Sequence, residues 1–163
     1  MESIEYIDIV NDGDEVIGLA SKEDIYKKRL LHRIVHIMIL NDKNEIALQL
    51  RSKNTSYCPL HWSTSVGGHV QSGESCEDAA LREYDEELGT TSKITFFNKD
   101  YYEGETANKF LYIFKSDFNG PFSPNPSAVG AVSFFSIDKI KNMIESGEKF
   151  HPELLFILKK YFF

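Results

Sequence analysis

Apolar positions along this chain fall mostly into short runs, with helical spacing in only a few places. Residues 4–10 and 15–20 are strand-like runs on either side of Asn11-Asp12-Gly13-Asp14, a cluster that predicts a hairpin turn. Residues 21–31 read as a short helix or linker with Ser21 at its N-cap. His32 to Leu40 is almost continuously apolar, as a strand buried on both faces would be, and Glu45 to Leu50 follows after Asn41-Asp42-Lys43-Asn44. A loop over 52–61 precedes a short strand, Trp62 to Val66, which runs into Gly67-Gly68. A helix is expected from Ser75, with Ser75 and Asp78 at capping-box spacing and Gly89 as its C-terminal stop. Residues 93–104 and 108–117 are strand runs rich in Phe and Tyr, and 118–130 is a loop. A strand over 131–135 and helices over 137–146 and 152–161 complete the pattern, with Ser136 as a cap and Pro152 in a first turn. The expectation is an α/β fold, a mixed sheet with helices packed on it.

The helix from Ser75 to Leu88 carries the distinctive chemistry. At ~100° per residue, Glu83, Glu86 and Glu87 fall within one arc, with the small residues Cys76 and Ala79 one and two turns earlier. Ala80, Leu81, Tyr84 and Leu88 form the adjacent apolar stripe. Like charges at i,i+3 and i,i+4 repel, and burial raises a carboxylate's pKa. A hard divalent cation with oxygen ligands removes both costs. The plainer reading is a solvated acidic face, with Arg82 an i,i+4 partner of Asp78 and Glu86 and the upstream glycines simple turn residues.

Composition narrows the partners. The chain has 163 residues, a length that predicts one domain over 1–163 and can bury a core unaided. A net charge of −7 argues against nucleic-acid polymers and anionic membranes as partners. A small phosphorylated ligand remains compatible, because a metal ion supplies positive charge locally. Two cysteines, Cys58 and Cys76, make no disulfide framework. The start MESIEYIDIV lacks a basic segment and a long apolar stretch, and no run approaches the ~20 residues of a membrane span. The expected compartment is the cytoplasm. Oligomeric state, a homodimer among the options, is not legible.

The stretch GGHVQSGESCEDAALREYDEELGT resembles the Nudix box, G-x5-E-x7-R-E-U-x-E-E-x-G-U with U aliphatic. Gly68, Glu74, Arg82, Glu83, Glu86, Glu87 and Gly89 match at the required spacing, over box residues 68–90. Tyr84 and Thr90 depart at the two U positions. The resemblance implies a Nudix fold, a mixed β-sheet sandwiched between α-helices. It implies hydrolysis of a diphosphate linkage in a small soluble substrate, such as a nucleoside diphosphate linked to X. The implied cofactor is Mg²⁺, with Mn²⁺ as an alternative. Glu86 and Glu87 take the role of principal metal ligands, Glu83 that of a further ligand or of the base that activates water, and the Gly68 carbonyl that of a backbone ligand. Arg82 and Glu74 orient the carboxylates, and a later acidic residue, Glu103 or Glu105, is expected to join them. The resemblance thus makes Glu83, Glu86 and Arg82 the expected catalytic residues.

The surrounding stretches LLHRIVHIMILNDKNEIALQLRSKN and CPLHWSTSVGGHV are similar to the Nudix branch that includes isopentenyl-diphosphate isomerases, with residues 1–31 as an N-terminal hairpin and helix extension. Isomerisation is therefore one alternative. Against it, the isomerases' catalytic Cys position is Gly67 here, and of their three metal-binding histidines only His32 and His69 are matched, the third falling near Ile25. A second alternative is a non-catalytic Nudix domain that binds a nucleotide or a protein, opposed by the intact Glu83, Glu86 and Glu87. Arg33, Arg51 and His69 are the expected substrate contacts, since Arg forks match phosphate oxygens and His69 follows Gly68. Each also has a structural reading, as ion pairs for the arginines and a hydrogen-bonded core side chain for the histidine. Trp62 reads as core or as a stacking platform.

Overall fold

The computed structural model describes residues 3–163; the first two residues of the expected N-terminal extension lie outside that range. A hairpin, β1 (Tyr6–Val10) and β2 (Val16–Ser21), turns at Asn11–Asp14 and leads into α1 (Lys22–Lys27). The central strands are β3 (His32–Leu40) and β4 (Ile46–Arg51), followed by β5 (Trp62–Ser63) and β6 (Val66–His69). Helix α2 (Cys76–Leu88), strands β7 (Thr95–Glu103), β8 (Asn108–Asp117) and β9 (Val129–Phe135), and helices α3 (Ile137–Glu145) and α4 (Pro152–Tyr161) complete the order. The expected single strand over 62–66 is two short strands, and Gly67 and Gly68 lie within β6 rather than after it. The helix expected over 21–31 ends at Lys27, because Arg29 takes a left-handed conformation (φ 54°) that stops it.

The sheet is mixed: β3 and β8 run parallel, and every other pairing is antiparallel. Strand alternation divides the core in two. Ile34 and Met38 of β3 pack with Leu154, Ile157 and Leu158 of α4 and Ile140 and Met143 of α3, whereas Val35, Ile37 and Ile39 pack with Ala79, Ala80, Tyr84 and Leu88 of α2. Each such large apolar side chain, fully buried, contributes roughly 1.5–3 kcal/mol. The helices thus cover both faces, as the α/β reading requires.

One feature of the sheet creates the site. Strands β3 and β4 pair only at Leu40↔Ile46 and then diverge. The wedge between them is filled by β6, paired to β3 from Ile34↔His69 to Ile37↔Val66, and by β5, paired to β4 at Gln49↔Ser63 and Leu50↔Trp62. The N-terminal hairpin leans on the loop before α2: Ile7 bridges Gln71, the Ser72 amide donates to the Tyr6 carbonyl at 2.8 Å, and the Gly73 amide donates to Asp8 Oδ2 at 3.2 Å.

Candidate metal and substrate cleft

Local signals place α2 with little freedom. Ser75 Oγ accepts from the Asp78 amide at 3.0 Å, a cap whose loss costs about 1 kcal/mol. At the other end Gly89 has φ +66°, and a Cβ there would lie 2.4 Å from the Ser123 carbonyl oxygen, so no other residue fits. Tyr84, at an aliphatic position of the motif, is fully buried, and its hydroxyl is satisfied by Ser92 Oγ at 2.8 Å. Cys76 packs half-buried against the core.

The helix register brings Glu83 and Glu87, one turn apart, onto the backbone of β6. A Cβ on Gly68 would sit 2.2 Å from Glu83 Cδ, so this carboxylate occupies the space a side chain would need. Glu87 accepts from Gln49 Nε2 at 2.6 Å and lies one helical turn from Glu83. Two carboxylates set side by side disfavour each other's ionisation. Burial raises Glu83, and burial followed by the charge of Glu83 pushes Glu87 well above the glutamate range. Glu86 is turned outward, 57% exposed, with Oε2 3.3 Å from Arg82 Nη1. Among the described residues, no three His, Cys, Asp or Glu side chains are gathered as a ready-made metal cage.

Arg82 lies at the centre of this array. Its Nη2 donates to Glu74 Oε1 at 2.6 Å and to the His69 carbonyl at 3.0 Å, its Nε to Glu74 Oε2 at 3.1 Å, and its Nη1 to Glu83 Oε1 at 3.0 Å. Of the two i,i+4 partners expected for Arg82, Glu86 is paired; no contact with Asp78 is present. Burial would raise Glu74, but the hydrogen bonds from Arg82 and the Gln71 amide and the charge of Arg82 together outweigh it and hold Glu74 low.

A cleft opens over β6 in two adjoining lobes. One, of about 340 Å³, is lined by Glu83, Glu87, Gln49 and Glu5. The other, of about 330 Å³, is lined by His36, Lys109, His151, Glu153, Tyr26 and Tyr57. Lys22, Arg51, Gly67, Gly68 and His69 border both. Arg51 and His69, expected substrate contacts, are thus at the cleft. Arg33 is not, and that expectation is corrected. Alternation along β3 sends Arg33 to the face opposite Ile34 and His36, where Nε bonds Asp14 Oδ1 at 2.7 Å and Nη2 the Asp14 carbonyl at 2.6 Å. Neither Glu103 nor Glu105 lines the cleft; the acid that joins α2 there is Glu5, and Thr106 represents the β7–β8 turn. Trp62 packs against Phe135, ring centroids 5.2 Å apart, rather than facing the cleft.

The histidines separate by their partners. His69 Nε2 and the Tyr26 hydroxyl are hydrogen-bonded at 2.5 Å, and burial, then the charge of Lys22, lowers His69 well below its ordinary range. His32 stacks on it at 5.6 Å, bonds the Leu30 carbonyl through Nδ1 at 2.8 Å, and leaves Nε2 buried without a partner. Burial takes His32 down to about 4. On the other side of the wedge Glu153, from the first turn of α4, bonds His36 Nε2 at 2.8 Å and Lys109 Nζ at 2.7 Å. Lys22, Tyr26, Gln49, Lys109, His151 and Glu153 had no signal in the sequence beyond their residue type. They come from separate elements that only the fold assembles.

A family model described as the NUDIX domain matches residues 30–156. The chain is similar to an uncharacterized Nudix hydrolase of Yersinia pestis, 30% identical over 84% of this chain and 76% of that one. It is also similar to the Nudix hydrolase YfcD of Escherichia coli strain K12, 29% identical over 86% of this chain and 78% of the relative. Its fold matches the crystal structure of DR0079 from Deinococcus radiodurans, with a TM-score of 0.82, 24% identity and coverage of 98% and 100% of the two chains.

Proposed function

Because the chain belongs to the Nudix family, we propose that it is a divalent-metal-dependent hydrolase that cleaves a diphosphate linkage in a small soluble substrate. The carrying observation is the Glu83–Glu87 pair, one turn apart, half-buried against the bare backbone of Gly68 and compensated by a single guanidinium at one oxygen. Two oxyanions forced together beside a backbone carbonyl suit a hard cation. Among first-row and alkaline-earth ions, Mg²⁺ is the reading, with Mn²⁺ able to substitute.

When bound, such an ion neutralises diphosphate charge and lowers the pKa of water. The remaining work falls to side chains. Glu83, Glu86 and Glu87 would hold the cation together with the Gly68 carbonyl. Arg82, clamped by both oxygens of Glu74, fixes the direction of Glu83. Glu83 then accepts the proton of the attacking water. Lys22 takes non-bridging phosphate oxygens at the rim shared by the two lobes, which His69 also borders. The NUDIX domain of Shewanella oneidensis NrtR, a fold neighbour with a TM-score of 0.63, is described in complex with ADP ribose, a diphosphate of the expected kind.

The test is a phosphate-release screen over diphosphate compounds with Mg²⁺ and Mn²⁺, repeated in excess chelator. Turnover should vanish in chelator and return with added metal. Full turnover in chelator would sink the metal mechanism.

A further inference from the structure

We propose that the lobe between His36 and His151 is an oxyanion receptor, built to take a phosphomonoester or carboxylate that the substrate carries apart from its diphosphate. This rests on the diphosphatase reading for what occupies the other lobe, and not for its own chemistry.

The charge inventory points one way. Lys22, Arg51 and Lys109 line the lobe, and Glu153 is its only carboxylate. Glu153 offers a ligand nothing: one oxygen bonds His36 Nε2 and the other Lys109 Nζ. What is left over are donors. Lys109 spends one N–H on Glu153, is almost fully buried, and has no other acceptor beyond the face of Tyr26, 5.5 Å away. His151 Nδ1 accepts the Glu153 amide at 3.1 Å, which leaves its proton on Nε2. Arg51 anchors through Nε to the Tyr57 carbonyl at 3.1 Å, which leaves its terminal nitrogens for a ligand.

A lobe with excess positive charge and converging N–H groups is matched by an acceptor-only anion. A neutral organic group would leave that charge unbalanced. The setting sharpens the point, since the chain as a whole carries −7 and concentrates these cations in one concavity. The lobe also draws on residues outside the segment matched by the family model, since Lys22 and Tyr26 precede residue 30. It is therefore a feature by which this chain selects among substrates.

The experiment titrates the full-length protein, in chelator, with inorganic phosphate and separately with acetate, following backbone amides by heteronuclear NMR. Saturable shifts are expected at Lys109, His151 and Gly67. Binding should weaken by about tenfold or more in Lys109→Met combined with Glu153→Gln, a pair that leaves neither charge buried alone. His151→Asn retains a capping oxygen and loses only the ring N–H, so it should weaken binding severalfold; it carries the test where the paired variant is unfolded. Glu83→Gln should bind phosphate as the wild type does. The relative strength of the phosphate and acetate arms tells a tetrahedral from a planar anion. Absence of saturable binding of either, or binding abolished by Glu83→Gln and indifferent to the lobe variants, would overturn the proposal. Chelator-sensitive turnover is not consulted here, so the hydrolase reading stands or falls separately.

Discussion

The two ends of the cleft hold buried glutamates in opposite circumstances. Glu87 meets a second carboxylate and a neutral amide, and burial together with Glu83 drives it well above the glutamate range. Glu153 is more deeply buried, yet the hydrogen bond from His36 and the charge of Lys109 outweigh burial and hold it far below that range. The same side chain thus has opposite affinities for a proton in the two settings. The difference teaches which carboxylate has its cation built in and which awaits one. Glu153 already has an ammonium group and an imidazole, and its pairing organises the lobe. Glu87 and Glu83 have only one guanidinium between them, at one oxygen, the deficit that the proposed divalent cation would fill.

The largest expected break in this contrast is Glu87→Gln. Turnover should fall by about 10²-fold or more, because charge stabilisation at the metal is lost while the helix is kept. In chelator the variant should be at least as stable as the wild type, since it no longer sets two carboxylates side by side. Steady-state kinetics and thermal melts check the two halves. Wild-type rates would mean that Glu87 holds nothing that matters to catalysis.

Glu153→Gln should behave in the reverse manner. Removing one partner of a buried ion pair costs roughly 3–5 kcal/mol, so the melting temperature should drop by about 10 °C. Chemical denaturation measures this directly. A loss below about 1 kcal/mol would show that Lys109 and His36 are not held by this carboxylate.

The smallest effect sharpens the comparison through pH. Glu83 and Glu87 have folded pKa values above the ordinary 4.5, so their contribution in metal-free protein is present below that value and is lost as pH rises through the raised ones. Glu153 is lowered, so its contribution is present above 4.5 and is lost as pH falls through its depressed value. Metal-free protein should therefore lose melting temperature as pH rises above the ordinary glutamate value. Saturating Mg²⁺ should restore it by about 2.7 kcal/mol at a hundred times the dissociation constant, with the largest gain at the higher pH. A metal-induced gain that is the same at every pH would separate the metal from these two carboxylates.

Much of the fold was legible along the chain because the signals were local. The helix expected from Ser75 to Leu88 is found as Cys76–Leu88 with Ser75 as its cap, since a hydroxyl, a helical apolar stripe and a left-handed glycine need no distant partner. Strand β3 is found at the expected residues, as a near-continuous apolar run must be buried on both faces. The acidic arc was legible for the same reason, as residues four apart share a helix face. Strands β5 and β6 were merged because runs this short show no periodicity, and their separate existence depends on the wedge between β3 and β4. Which arginine reaches the cleft was likewise a tertiary matter. Arg33 and Arg51 have the same chemistry, but strand alternation and the position of Asp14 turn one away, while the Tyr57 carbonyl holds the other at the rim. The sequence by itself determined the acidic helix and the apolar skeleton, because both are periodic. Only the tertiary structure decided that Lys22, Lys109, His151 and Glu153 converge, because charge inventory in a cavity is a sum over elements distant in the chain.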